Sequence, residues 1–133
     1  MMQDRPAIPE LLQAVTQFID TEVVPNLTGS RQFYSRVAAN VLRAVMRELE
    51  HEEEYLHAEW ERLNTILPPQ ERPAANSALR EVIRQRTEEL CQRIRRGDAD
   101  AGPYRELVLA HVRETVREKL VVNNPQWIER PAS

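Results

Sequence analysis

The chain is short of the residues that build tight turns and of those that do covalent chemistry. Its 133 residues include three glycines and one cysteine, and aromatics make up 5%. So few glycines exclude a strand-rich fold with many sharp turns. A lone cysteine, Cys91, excludes an intramolecular disulfide. With no histidine close to it in sequence, it reads as a packed thiol rather than a nucleophile. Neither sign of charge dominates: the net charge of −3 argues against a nucleic-acid binder with a strong basic field. No apolar run approaches the roughly 18 residues that a membrane span requires, and MMQDRPAIPE lacks the charged-then-apolar pattern of a secretory leader. Together these absences point to a cytoplasmic protein with no membrane and no nucleic acid among its partners.

What is present is helical periodicity between prolines. The length suits one domain spanning residues 1–133. Leu11, Leu12, Val15, Phe18, Ile19 and Val23 form one stripe that stops at VVPNLTGS, where Pro25 and Gly29 break the pattern. Tyr34, Val37, Ala38, Val41, Leu42, Val45 and Leu49 form a second, continued in phase by Leu56, Trp60, Leu63 and Leu67. A helix from Ser30 to Leu67 would be about 57 Å long at ~1.5 Å per residue. That exceeds what a compact domain needs, so a bend or break is expected near Glu50 to Glu53. PPQERPAAN, from Pro68 to Asn76, is an exposed linker. A third stripe uses Leu79, Val82, Ile83, Leu90 and Ile94, with Gly97 as its stop. Asp98 or Asp100 is placed to cap a last helix whose first turn accepts Pro103. Its inward set is Tyr104, Val108, Val112, Thr115, Val116 and Leu120, and Trp127 and Ile128 are expected to dock in the tail. The expected fold is an all-α bundle of four to five helices.

Arg36, Asn40, Arg43 and Arg47 fall in one narrow sector of the second helix, nearly opposite its apolar stripe, at about 100° per residue. A solvated face is the plain explanation. The sharper one is a strip that binds an anion or a partner, because the guanidinium fork donates two parallel hydrogen bonds to phosphate or carboxylate. Glu48 projects toward the apolar edge of that helix and Lys119 toward the inward sector of the last. Two opposite charges aimed inward are expected to form a partly buried pair.

Other constellations are weaker. Glu48–His51 and Glu54–His57 both have the E-x-x-H spacing of di-metal bundles, but they lie on one segment and point about 120° apart. HEEEY has Tyr55 where a zinc motif needs its second histidine. No metal or other cofactor is therefore expected. The seven glutamates from Glu48 to Glu61 form an acidic face, placed to meet Arg80, Arg84, Arg86 and Arg93. His111 beside an apolar stripe reads as a packed histidine. No nucleophile elbow, phosphate loop or dinucleotide fingerprint is present.

RVAAN (Arg36–Asn40), RELE (Arg47–Glu50), IRRGD (Ile94–Asp98) and KLVVNNP (Lys119–Pro125) follow one another after MQDRP (Met2–Pro6) and ELLQAV (Glu10–Val15). In that order they resemble a bacterial family of small helical domains of unknown function. The positions that match its pattern are Arg36, Asn40, Arg47, Glu48, Gly97, Lys119, Asn124 and Pro125. The acidic HEEEYLHAEW departs from it. Members of that family accompany phosphotransferases of the aminoglycoside/choline-kinase type and acyl-CoA dehydrogenases. The resemblance therefore implies a non-catalytic accessory subunit in hydroxyacyl-CoA catabolism, where a kinase phosphorylates the hydroxyl and elimination gives the enoyl-CoA. Two alternatives stand beside it. One is a homodimeric interaction protein touching through Tyr55 and Trp60. The other is a stand-alone enzyme using Glu48 with His111 or Lys119 as acid and base.

Overall fold

A computed structural model describes residues 6–129, so all of MQDRP but Pro6 lies outside the described residues. The order is α1 (Ile8–Phe18), a π-helical turn (Ile19–Val23), a 3-10 turn (Val24–Asn26), α2 (Gly29–Ile66), α3 (Asn76–Arg95), α4 (Gly102–Asn123) and a short α5 (Gln126–Glu129). Among the described residues there is no strand, and the fold is all-α as expected. The chain divides into two compact units, with the boundary between Glu50 and His51.

Helix ends follow local chemistry. α1 carries Pro9 in its first turn, where the missing N–H is not needed. α3 closes on Gly97 at φ 94°: the Gly97 N–H donates to the Ile94 carbonyl at 3.1 Å and the Asp98 N–H to the Arg93 carbonyl at 3.1 Å. This is the paired closure that a left-handed glycine permits. α4 begins at Gly102 with Ala101 before it and no side-chain cap. Asp98 instead binds Arg96, 2.6 Å from Nη2, and Asp100 lies against Gly97, so neither aspartate caps the helix as expected.

α2 does not break at Glu50–Glu53. From Ser30 to Leu67 it contains neither Gly nor Pro, and its acidic stretch is built of good helix formers. Only Pro68 and Pro69, which lack the N–H that would continue the ladder, end it. Residues 68–75 then form the expected connection, mostly exposed.

In the first unit the chain reverses at Leu27–Thr28. The Gln32 side chain donates to the Val24 carbonyl at 3.0 Å, and Arg43 pairs with Asp20, so the start of α2 folds back along the segment before it. Leu12 and Thr16 of α1, Val24, and Ser35, Ala39, Leu42 and Met46 of α2 are withdrawn from water. The stripes expected to be inward are so only in part, with Leu12, Ile19, Val23 and Leu42 half-buried and most of the other members exposed. Ile8, Leu11, Val15 and Phe18 on α1 are 42–58% exposed, and Tyr34, Val37, Val41, Val45 and Leu49 on α2 are 39–66% exposed.

The hydrophobic core belongs to the second unit: Trp60, Leu63, Ile66 and Leu67 at the end of α2, Leu79, Ile83 and Leu90 on α3, and Val108 on α4. Leu63 and Leu79 are completely enclosed, each such burial contributing about 2 kcal/mol. The Tyr104 hydroxyl donates to the Ile66 carbonyl at 3.0 Å, tying α4 to the end of α2. Trp127 and Ile128 remain exposed, contrary to the expected docking of the tail.

Candidate functional site

The inward face of α4 is not the one that its apolar residues mark. Val108, His111, Glu118 and Val122 are buried, while Val112 and Val116 are exposed. The spacing of 108, 111, 115, 118 and 122 is a helical seam in its own right, but one that carries a histidine, a threonine and a carboxylate. Arg62 of α2 makes this possible. Its Nη1 donates to Glu118 Oε1 at 2.8 Å and its Nη2 to Glu118 Oε2 at 3.0 Å and Thr115 Oγ1 at 3.1 Å. Its Nε donates to His111 Nδ1 at 3.3 Å. One guanidinium thus satisfies a buried carboxylate in the two-pronged manner to which its plane is suited.

That geometry sets the state of His111. Burial, then the neighbouring Arg62 charge, push its pKa below the usual range, with Glu118 opposing. Because Nδ1 accepts from Arg62, the proton of the neutral ring sits on Nε2. Glu59, one turn before Arg62, is shifted the other way: burial raises its pKa, while Lys119 and Arg62 pull it down.

Beside this network lies a cavity of about 600 Å³ between α3 and α4, with Glu59, His111, Thr115 and Lys119 on its polar side and Ile83, Leu90 and Val112 among its apolar lining. Arg80 and Arg84 line it too. The apolar walls suit a partly apolar guest, and the polar rim offers both signs of charge. Half-buried Cys91 lines the same cavity, and no histidine pairs with it among the described residues.

Each residue singled out by sequence has a definite place. Arg36 and Asn40 are exposed on α2. Arg43 and Arg47 are half-buried, and Arg43 is engaged by Asp20 and by Asn40 Oδ1 at 2.9 Å. Part of the strip therefore closes the first unit. Glu48 and Lys119 are both exposed, so the expected withdrawal of the pair from water does not occur; the buried ion pair of α4 is made by the preceding residue, Glu118, with Arg62. The carboxylates that share a cavity with His111 and Lys119 are Glu59 and Glu88, not Glu48. Trp60 is a core residue and Tyr55 is half-buried, so neither has the exposure expected of it as a homodimer contact. The acidic face does meet α3, through an ion pair of Glu52 with Arg80. Arg86, by contrast, is 3% exposed and donates to the Pro68 carbonyl at 2.7 Å, across the end of α2.

Arg62, Glu59 and Glu118 escaped the sequence reading. A signal was there: Arg62 is the first cation after seven glutamates, and His111, Thr115 and Glu118 recur at helical spacing. Among the described residues no group of three or more His, Cys, Asp or Glu side chains is arranged to hold a metal. No helix there is long and apolar enough to cross a membrane. No curated protein and no solved structure matches the chain. A family model described as a domain of unknown function, DUF6285, matches residues 25–127, and the chain belongs to that family.

Proposed function

We propose that this protein is a non-catalytic accessory subunit of a kinase-like phosphotransferase, of the aminoglycoside/choline-kinase type, serving hydroxyacyl-CoA catabolism in the bacterial cytoplasm. An acyl-CoA dehydrogenase is the second partner that the resemblance implies. The observation that carries the proposal is the charge of one surface. Arg36, Asn40, Arg43 and Arg47 share one sector of α2, residues 29–47 hold no carboxylate, and Arg36 is exposed with no ion pair among the described residues. Such a ridge fits an acidic protein surface or the phosphates of a CoA-linked substrate, since each guanidinium presents paired donors to an oxyanion. Arg43, held by Asp20 and Asn40, sets the ridge on a fixed helix rather than a loop.

The test is affinity capture of the full chain from its native cell, scored for a phosphotransferase of this type. Recovery that is lost in Arg36→Glu/Asn40→Asp and kept in Arg84→Glu, on α3, supports the proposal. Equal recovery by all three, or turnover of an acyl-CoA by the isolated chain, refutes it.

A further inference from the structure

The first unit has a second apolar side whose residues are exposed among the described residues. On α1 the exposed stripe lies about 110° around the axis from Leu12 and Thr16, and on α2 the exposed stripe lies about 110° from Ser35, Ala39, Leu42 and Met46, counting ~100° per residue. The displacement has the same hand on both helices. Since the start of α2 folds back antiparallel to the segment before it, both stripes come to one side of the hairpin. A helix with two apolar faces roughly at right angles is what each corner of a four-helix bundle requires, one face for each neighbour. Here one neighbour is present.

We infer that the missing neighbours belong to a second copy of this chain, so that two hairpins pair through these stripes into an intermolecular four-helix bundle. The size is right. Nine side chains that are 39–66% exposed present on the order of 700 Å² of apolar surface per copy, near the ~800 Å² per partner of a stable interface and beyond the ~300–600 Å² patch of an ordinary monomer. Opposite charge favours one pairing, most directly through Arg31, which projects about 60° from the α2 stripe. From Pro6 to Ser30 the charged residues are Glu10, Asp20 and Glu22, all acidic, whereas residues 29–47 carry only arginine. Like helices side by side repel and unlike helices attract, so α1 of one copy lies against α2 of the other. Arg36 and Asn40 project nearly opposite the α2 stripe, so pairing leaves the ridge free and does not depend on the phosphotransferase proposal.

Sedimentation of the full chain tests this. The expected result is a particle of twice the 15.5 kDa chain mass, halved in mass by Val15→Glu and, separately, by Val41→Glu, with helix content by circular dichroism unchanged. Both substitutions fall on exposed positions. A second measurement fixes the pairing: in a Cys91→Ser background, a short bismaleimide should link Val15→Cys chains to Val41→Cys chains more efficiently than either to itself. A wild-type chain that stays monomeric up to about a hundredfold above a typical micromolar dimer constant, or cross-links that favour like helices, overturns the inference.

Discussion

Replacing Arg62 by leucine should expose how the second unit tolerates charge in its interior. The Glu118 side chain is 7% exposed and that of Arg62 21%, joined at 2.8 Å. Arg62→Leu strands a carboxylate away from water and removes the donors to Thr115 and His111 as well. Breaking a buried pair from one side costs about 3–5 kcal/mol, and the residual exposure of Arg62 places the loss near the lower end, at ~3 kcal/mol. For a chain of this size that corresponds to a fall in Tm of about 10 °C. The double variant Arg62→Leu/Glu118→Leu carries no stranded charge and should recover most of the loss, because well-packed apolar pairs substitute for buried ion pairs with little cost. Urea titrations followed by far-UV circular dichroism give the comparison. A single variant within ~1 kcal/mol of wild type, below the usual cost of an unsatisfied buried charge, would refute the reasoning. So would a double variant as unstable as the single.

Three further outcomes follow from the geometry. Because the folded chain holds His111 below its usual pKa of 6.5, the unfolded chain binds the extra proton first. Its contribution is therefore full above about pH 6.5 and declines as pH falls through the window down to the folded value, and His111→Gln should flatten this part of the stability–pH profile. Glu59, raised above 4.5, titrates with the opposite sign, so Glu59→Gln in the same titrations should steepen the net dependence above that point. Gly97→Ala, at φ 94° with Asp100 Oδ2 3.1 Å from the added carbon, should cost about 1–2 kcal/mol by thermal melting, and Gly29→Ala, at φ 62° in open space, about half as much. In a Trp127→Phe chain the remaining Trp60, 9% exposed, should emit at short wavelength and resist acrylamide quenching, and Trp60→Ala should cost about 3–5 kcal/mol. Readily quenched emission would contradict the core assignment.

Local chemistry by itself determined where helices begin and end. Pro9, Pro25, Pro68 and Gly97 act on the backbone of their own residue and its near neighbours, so their effect needs no tertiary partner. The absence of Gly and Pro from Ser30 to Leu67 likewise accounts for an unbroken α2, although the expected compactness of a single domain argued for a break. Which face of each helix turns inward was decided elsewhere. On α4 a guanidinium reaching from α2 made it favourable to bury His111 and Glu118, leaving Val112 and Val116 outside. On α1 and the first half of α2, small or polar side chains such as Thr16 and Ala39 are buried, while the bulkier stripes are left exposed. Apolar spacing records that a face is to be hidden from water, but whether it is hidden by its own chain or another, and which charges are hidden with it, depends on partners distant in sequence.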